Sequence, residues 1–194
     1  HGSILDVGCG DASLARIVGN DRYYGCDGCP PFLTHANAVR VFAAEASALP
    51  VREGSFDLVL AVGLFQHLDE AQPVADQMRL AARPRGTIIV STLRQFSMIE
   101  LAIIWLMSFR DSQRRRLAGL IWQRRHGPAL LDGQPVARRY TPTEIARMFG
   151  LPRRSLRITY IGGLFGPLFA REIVIGLALP ERAKPKRIKP SATL

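Results

Sequence analysis

The chain has 194 residues, of which 47% are hydrophobic and 22% are charged, so it is long enough for one globular domain with a sizeable core. Its net charge of +10 is uneven: residues 1–93 hold 7 Arg against 10 acidic residues, whereas residues 94–194 hold 19 Lys and Arg against 6. The three cysteines are an odd number, which argues against a disulfide framework, and no signal peptide is visible.

Short apolar runs alternate with segments of helical periodicity along the chain. Strands are predicted at residues 3–7, 23–26, 39–44, 56–61 and 87–92, with two final strands at 156–161 and 172–179. Helices are predicted at residues 12–18, at 70–82 and from Thr141, where Glu144 completes a capping box; residues 83–86 read as a turn. This alternation predicts an α/β fold, with a parallel sheet covered by helices on both faces.

The loop after the first predicted strand contains Gly8 and Gly10. Glycines between a strand and a helix allow a tight turn and a close approach of the backbone to a ligand. Asp27 follows the second predicted strand, where a carboxylate can accept hydrogen bonds from both hydroxyls of a ribose. A nucleoside cofactor is therefore expected at this edge of the sheet.

The residues around this loop favour a positively charged cofactor over a dinucleotide. Ser13 stands where dinucleotide sites have their third glycine. Asp6 and Asp11 flank the loop, and their carboxylates would repel a pyrophosphate but tolerate an ammonium and a sulfonium.

Five stretches, at ordered spacings within residues 3–92, resemble the class I S-adenosylmethionine-dependent methyltransferases, especially the type 11 subgroup. They are Asp6-Val-Gly-Cys-Gly10, Glu45-Ala-Ser-Ala-Leu-Pro50, Ser55-Phe-Asp-Leu-Val59, Ala61-Val-Gly-Leu-Phe-Gln-His-Leu68 and Arg79-Leu-Ala-Ala-Arg-Pro-Arg-Gly86. The resemblance implies a three-layer Rossmann-like sandwich with a mostly parallel seven-stranded sheet, an antiparallel last strand and a helical lid after the fifth strand.

The same resemblance implies S-adenosylmethionine as the cofactor and assigns roles to residues. Asp27 would hold the ribose, Glu45 and Ala46 the adenine, and Ala61 and Val62 the methionine part. The full set of expected cofactor-binding residues is Asp6, Gly8, Cys9, Gly10, Asp27, Gly28, Glu45, Ala46, Ala61 and Val62. The chain departs from the family at Glu45, where Asp is usual, and at Arg85, which replaces a glycine.

Several of these residues have simpler interpretations. The glycines can serve a plain turn, Asp27 can cap a helix that begins near Pro30, and Glu45 can be a solvated loop acid. Asp57 opens a strand and is expected to be structural. His67 is the candidate general base, with a capping or packing role as its alternative.

Residues 1–180 are expected to form a single methyltransferase domain, which lacks the helix that usually precedes the first motif. Within it, residues 94–139 are expected to form a helical lid or insertion, and residues 181–194 a basic, disordered tail. The apolar run at residues 96–109 is too short to span a bilayer and is followed by arginine clusters. It fits either a lid over the cofactor or a contact with an anionic membrane surface.

The function expected from the sequence is methyl transfer to a small-molecule acceptor that is hydrophobic or lipid-linked. Two rivals remain: an NAD-dependent oxidoreductase, and a non-catalytic protein that binds a membrane or a partner through its Arg-rich half. Nucleic acid is the weaker partner because no RNA-binding motif is present. Cys26-x-x-Cys29 is not followed by a second pair of ligands at zinc spacing, so we expect free thiols and no metal. The expected location is the reducing cytoplasm, including the periphery of the membrane.

Overall fold

The computed structural model describes residues 2–36, 40–95, 129–131, 134–136, 138–161 and 172–181. These ranges contain nine strands: β1 (Ile4–Val7), β2 (Tyr23–Asp27), β3 (Arg40–Ala43), β4 (Phe56–Val62), β5 (Ala82–Leu93), β6 (Ala129–Leu131), β7 (Gln134–Val136), β8 (Leu156–Ile161) and β9 (Glu172–Ala178). The α-helices in the same ranges are α1 (Ala15–Val18), α2 (Pro30–Leu33), α3 (Gln72–Ala81) and α4 (Pro142–Met148). Two 3₁₀ turns lie at Phe65–His67 and Arg153–Ser155.

Seven strands form one sheet in the order β3-β2-β1-β4-β5-β9-β8. The pairs from β3 to β5 are all parallel, whereas β9 runs antiparallel to both β5 and β8. This arrangement confirms the predicted Rossmann-like sheet, mostly parallel with an antiparallel last strand. From β1 the chain continues to β2 and β3 on one side of β1, and β4 and β5 lie on its other side. The direction in which strands are added to the sheet therefore reverses beside β1.

The main hydrophobic core lies on the face of the sheet that is covered by α3 and α4. Alternate strand residues such as Leu5, Val59 and Ile88 point into it and are fully buried, because successive side chains of a strand face opposite sides. Met78 of α3 and Ile145 of α4 pack against them. This core fixes the sheet and with it the positions of the strand ends.

The second face carries a smaller cluster under α1. Its buried members are Ala12, Ala15 and Tyr23. The helix itself begins at Ala15, later than predicted, because Ala12 has a φ of 57° and cannot continue a right-handed helix. The loop before α1 is therefore longer than expected, and it stays close to the end of β1.

The predicted turn at residues 83–86 is wrong. These residues belong to β5, and the pairing of β5 with β4 shifts register between Phe56 and Leu58. Arg85 has a φ of 63°, the conformation that glycine adopts most easily, so the turn signal marks an irregularity within a strand.

The predicted helical insertion at residues 94–139 is only partly described, and the described part is not helical. β6 and β7 pair antiparallel there. Asp132-Gly133 separates the two strands, a dipeptide typical of tight hairpins, and Pro135 is unfavourable inside a helix. The apolar run at 96–109 and the tail from residue 182 onward lie outside the described residues. No helix in the described ranges is long and apolar enough to cross a bilayer.

The predicted start of α4 is confirmed in detail. The Thr141 hydroxyl accepts a hydrogen bond from the Glu144 amide at 3.2 Å, and the Glu144 carboxylate accepts one from the Thr141 amide at 2.8 Å. This reciprocal capping satisfies two of the amide groups that a helix leaves unpaired at its first turn. It anchors α4 over the main core.

Candidate cofactor site

The candidate site lies at the carboxyl ends of β1, β2 and β4, beside the point where the strand order reverses. Val7 pairs with Cys26 at the ends of β1 and β2, so the segments that follow them leave the sheet together. Ligands of open parallel sheets bind in the crevice at such a reversal. The structure thus brings the loops after these strands to one edge. They contain the predicted site residues Gly8, Cys9, Gly10, Gly28 and His67.

The glycine loop turns back immediately after β1. Gly8 and Gly10 have φ values of 73° and 56°, in the left-handed region where a side chain is strained. The amides of Gly8 and Cys9 both donate to the Cys26 carbonyl, at 2.8 and 3.0 Å. A Cβ built on Gly8 would lie 2.9 Å from a methyl carbon of Leu64, whereas one built on Gly10 meets nothing within 4 Å. Gly8 is therefore packed against the protein, and Gly10 borders open space.

Asp27 joins this loop to the end of β2. Its Oδ2 accepts a hydrogen bond from the Gly10 amide at 2.9 Å, and its Oδ1 accepts one from the Cys29 amide at 2.8 Å. The second bond is an Asx turn rather than a helix cap, since α2 begins at Pro30 with Cys29 as its N-cap. An ionised carboxylate has about four lone-pair positions, so each oxygen keeps one for a ligand.

Asp6 is buried, with 3% of its surface exposed. Its Oδ2 accepts a hydrogen bond from the hydroxyl of Tyr23 at 2.7 Å, and its Oδ1 has no hydrogen-bond partner among the described residues. Burial raises the pKa of Asp6 from its ordinary 3.8 to about 6; the Tyr23 hydrogen bond opposes the rise and the charge of Asp27 adds to it. Tyr23 was not predicted as a residue of the site. Its hydroxyl bonds to Asp6 of the neighbouring strand, and the sequence alone does not show that these two side chains meet.

Cys9 lies in the glycine loop but is not a reactive thiolate. Its sulfur occupies the space beside Gly25, where a Cβ would approach it to 2.7 Å. Burial and the nearby charges of Asp6 and Asp27 raise its pKa to about 12, so the thiol stays protonated at neutral pH. Cys9, Cys26 and Cys29 are all free thiols.

Glu45, which follows β3, is brought next to the end of β2. A Cβ on Gly28 would lie 3.4 Å from Glu45 Oε1, so the carboxylate stands beside the Gly28 backbone. Glu45 is exposed and Ala46 is half-buried against the main core. The structure therefore places an acidic group where the sequence analysis expects the adenine end of the site.

The predicted residues after β4 separate into two kinds. Ala61 is fully buried in the main core, so its side chain does not border the site. Val62 is 49% exposed at the end of β4, and Gly63 turns the chain with a φ of 71°. His67 is the last residue of the 3₁₀ turn that follows β4, so it lies beyond the carboxyl end of that strand. Its side chain is half-buried.

Asp57 lies near the opposite edge of the sheet. Its carboxylate is within 2.7 Å of Arg83 and also accepts the Ser3 amide at 2.8 Å. Hydrogen bonding from Arg83 holds the pKa of Asp57 below its ordinary value. Asp57 thus ties β1, β4 and β5 together at their amino-terminal side, in agreement with the structural role expected for it.

No cluster of three or more His, Cys, Asp or Glu side chains suited to a metal ion occurs in the described ranges. The charged groups of the site are carboxylates: Asp6, Asp27 and Glu45. They give the edge of the sheet beside the reversal point and the glycine loop a negative potential.

Comparison with known proteins shows a similarity over the first half of the chain. Residues 5–90 match the sequence model of a family described as "Methyltransferase domain". The malonyl-[acyl-carrier protein] O-methyltransferase of Hahella chejuensis is 31% identical over 112 residues, which cover 53% of this chain and 40% of that protein. The tRNA U34 carboxymethyltransferase of the same organism is 29% identical over 102 residues, which cover 46% of this chain and 32% of that protein. The chain thus spans less than half the length of either relative.

A solved structure shares the fold. It is a SAM-dependent methyltransferase from Methanosarcina mazei, with a TM-score of 0.64, 16% identity and 93% of both chains covered. Residues 5–90 are therefore similar to a methyltransferase domain, and the chain shares the Rossmann-like fold of a solved SAM-dependent methyltransferase.

The burial of Asp6 predicts a dependence of stability on pH. Asp6 binds its proton more tightly in the folded than in the unfolded state, so its contribution to stability is complete below pH 3.8 and is lost as pH rises through about 6. Between pH 4 and pH 7, wild type should lose up to about 3 kcal/mol relative to Asp6→Asn. Urea unfolding followed by circular dichroism measures this difference.

Asp11→Asn is the matched control, because Asp11 is an exposed carboxylate of the same loop. Its stability should follow that of wild type across the pH range. Parallel curves for wild type and Asp6→Asn would contradict the assignment of a buried, raised-pKa carboxyl to Asp6.

Proposed function

We propose that this domain binds S-adenosylmethionine at the edge formed by β1, β2 and β4 and transfers its methyl group to a small-molecule acceptor. The observation that carries the proposal is the Asp27 carboxylate, which fastens the glycine loop while one lone pair on each oxygen stays available. A ribose presents two neighbouring hydroxyls, and these match that pair of acceptors.

The residues of the site fit this cofactor. Open space at Gly10 admits a ligand close to the backbone. Glu45 supplies an acceptor for the amino group of adenine. Asp6, with its unpartnered oxygen, adds negative charge near the loop. S-adenosylmethionine carries an ammonium and a sulfonium, which this potential attracts, whereas the pyrophosphate of NAD would be repelled. The NAD-dependent alternative therefore has no support from the site.

When bound, the cofactor supplies a methyl group activated by the positive charge on sulfur. The protein's part is to hold the ribose on Asp27, to position the methionine end along the glycine loop and the exposed Val62, and to exclude water. His67, at the carboxyl end of β4, is the proposed proton acceptor for a nucleophile that must lose a proton. The positive charge of the sulfonium is dispersed in the transition state of methyl transfer, so the reaction needs little electrostatic stabilisation from the protein. Positioning of the two reactants therefore provides most of the rate enhancement.

The acceptor is proposed to be hydrophobic or lipid-linked, with an anionic membrane surface as its source. This rests on the sequence: an apolar run at 96–109 is followed by arginine clusters, and residues 94–194 carry a net charge of +13. The two bacterial relatives are named for a tRNA and an acyl-carrier-protein substrate, so this similarity alone does not select the acceptor.

Cofactor binding is tested by calorimetric titration of the purified protein with S-adenosylmethionine, S-adenosylhomocysteine and NAD. The first two should bind and NAD should not. Asp27→Asn should weaken binding about 100-fold, because Asn keeps one acceptor oxygen and loses the other, and a hydrogen bond to a charged group contributes about 1.5–3 kcal/mol. Asp76→Asn, an exposed carboxylate on α3, is the control and should bind as wild type does.

Since Asp27 also fastens the loop, a pair of glycine variants separates loop damage from lost ligand contact. Gly10→Ala places a methyl group in open space, so it should cost about 1 kcal/mol of stability yet obstruct the ligand. Gly8→Ala adds a clash with Leu64 and should lose more stability. Binding of S-adenosylmethionine to Gly10→Ala at wild-type affinity would contradict the proposed location.

The acceptor proposal is tested by flotation with liposomes. The protein should float with vesicles that contain phosphatidylglycerol at low salt, and less so as salt is raised, because surface charge attraction is screened. Vesicles of phosphatidylcholine alone are the control. Failure to float with anionic vesicles at low salt would count against a membrane-derived acceptor.

A further inference from the structure

Asp6 and Tyr23 form a buried polar pair beneath the glycine loop. Tyr23 has no exposed surface, and its hydroxyl donates to Asp6 Oδ2 at 2.7 Å. The other carboxylate oxygen of Asp6 is buried and has no hydrogen-bond partner in the part of the chain that the structure describes. A polar atom left unsatisfied in a folded core is costly, and in native proteins it calls for an explanation.

The groups that act on Asp6 do not neutralise it. Burial raises the pKa of Asp6, and the charge of Asp27 adds to the rise. Burial likewise raises the pKa of Cys9 and of Cys26, each to about 12, with a smaller contribution from the charge of Asp6. The Tyr23 hydroxyl stabilises the anion only as a hydrogen-bond donor, and its own pKa is raised far above its ordinary value by burial and by Asp6. No cation of the described residues forms an ion pair with Asp6. Ionised Asp6 is therefore a buried negative charge without a positive partner, two residues before Gly8.

A buried charge of this kind affects ligands according to their own charge. S-adenosylmethionine carries a sulfonium, an ammonium and a carboxylate, for a net charge of +1, whereas S-adenosylhomocysteine has a neutral thioether and no net charge. Electrostatic attraction through a poorly hydrated interior is weakened less than attraction through water. Ionised Asp6 therefore favours the cofactor over the product that replaces it.

We propose that the Asp6–Tyr23 pair makes the domain discriminate between S-adenosylmethionine and S-adenosylhomocysteine, with Tyr23 positioning and stabilising the Asp6 anion. This inference rests on the proposed function, because it requires that both ligands bind at the glycine loop.

The pair also makes this discrimination depend on pH. Burial raises the pKa of Asp6 to about 6, so at pH 5 the carboxyl is mostly neutral and its preference for the cation is lost. At pH 7 the anion predominates and the preference is present. Removing the Tyr23 hydroxyl withdraws a hydrogen bond from the anion, which raises the pKa of Asp6 further and moves the transition to higher pH.

The test is calorimetric titration with each ligand separately between pH 5.0 and 7.2. The readout is the ratio of the two dissociation constants, in which changes common to both ligands cancel. In wild type the preference for S-adenosylmethionine should rise about fivefold to tenfold across this range. In Asp6→Asn the same rise should be absent.

Tyr23→Phe keeps the buried ring and removes only the hydroxyl, so it separates positioning from packing. Its rise in preference should occur at higher pH than in wild type. Tyr24→Phe is the matched control: Tyr24 is the next residue of β2, and its ring packs on the opposite face against Phe56. Its pH dependence should equal that of wild type.

The outcomes separate the two proposals. A ratio that does not change with pH in wild type, or that changes equally in Asp6→Asn, overturns the discrimination by Asp6 while cofactor binding stands. A Tyr23→Phe variant that weakens both ligands equally at every pH shows a packing role and overturns the role given to Tyr23. Absence of binding by both ligands overturns the proposed function, and this inference with it.

Discussion

The bridge made by the Asp27 carboxylate is the interaction on which the candidate site depends. It connects the amide of Gly10 in one loop with the amide of Cys29 in another, and so fixes the glycine loop against the end of β2. Charge-assisted hydrogen bonds to backbone amides are short and strong, and two from one carboxylate leave little freedom to either loop. Without this bridge the Gly10 amide would lose its hydrogen-bond acceptor, and the glycine loop would be free to change its conformation beside the open space at Gly10.

The site concentrates negative charge. Asp6, Asp27 and Glu45 follow three adjacent strands or lie within them, and one of them is buried with an unsatisfied oxygen. Such an arrangement opposes folding at neutral pH, since the buried carboxyl prefers its neutral form. Strain and unsatisfied groups that persist in a native structure commonly mark functional sites, where a ligand completes what the protein leaves open. A positively charged nucleoside cofactor has the complementary charge.

Much of the fold was predictable because it depends on local patterns. Apolar runs bounded by glycine and proline define the strands, and the Thr141–Glu144 capping box defines the start of α4 within one segment of sequence. The positions of Gly8, Gly10 and Asp27 were predictable for the same reason. Each lies at or just after the end of a strand that the local sequence pattern defines, so each is placed at the carboxyl edge of the sheet. Their roles in binding stay predictions.

The features that were not predicted depend on contacts between distant segments. The Tyr23 hydroxyl matters because β1 and β2 are neighbours and Asp6 lies beside it, which the spacing of 17 residues does not reveal. The irregular start of β5 arises from its pairing with β4, although the Arg85-Gly86 signal was visible. The paired strands β6 and β7 lie in a segment whose apolar and basic composition indicated helices, and the Asp132-Gly133 dipeptide in the sequence between them was overlooked.

The most direct test of the central claim is a crystal structure of the protein with S-adenosylhomocysteine bound. Both ribose hydroxyls should donate to Asp27 while the amides of Gly10 and Cys29 remain bonded to the same carboxylate. A nucleoside bound elsewhere, or an Asp27 side chain that releases the two amides to receive it, would show that Asp27 does not both fasten the loop and hold the ribose.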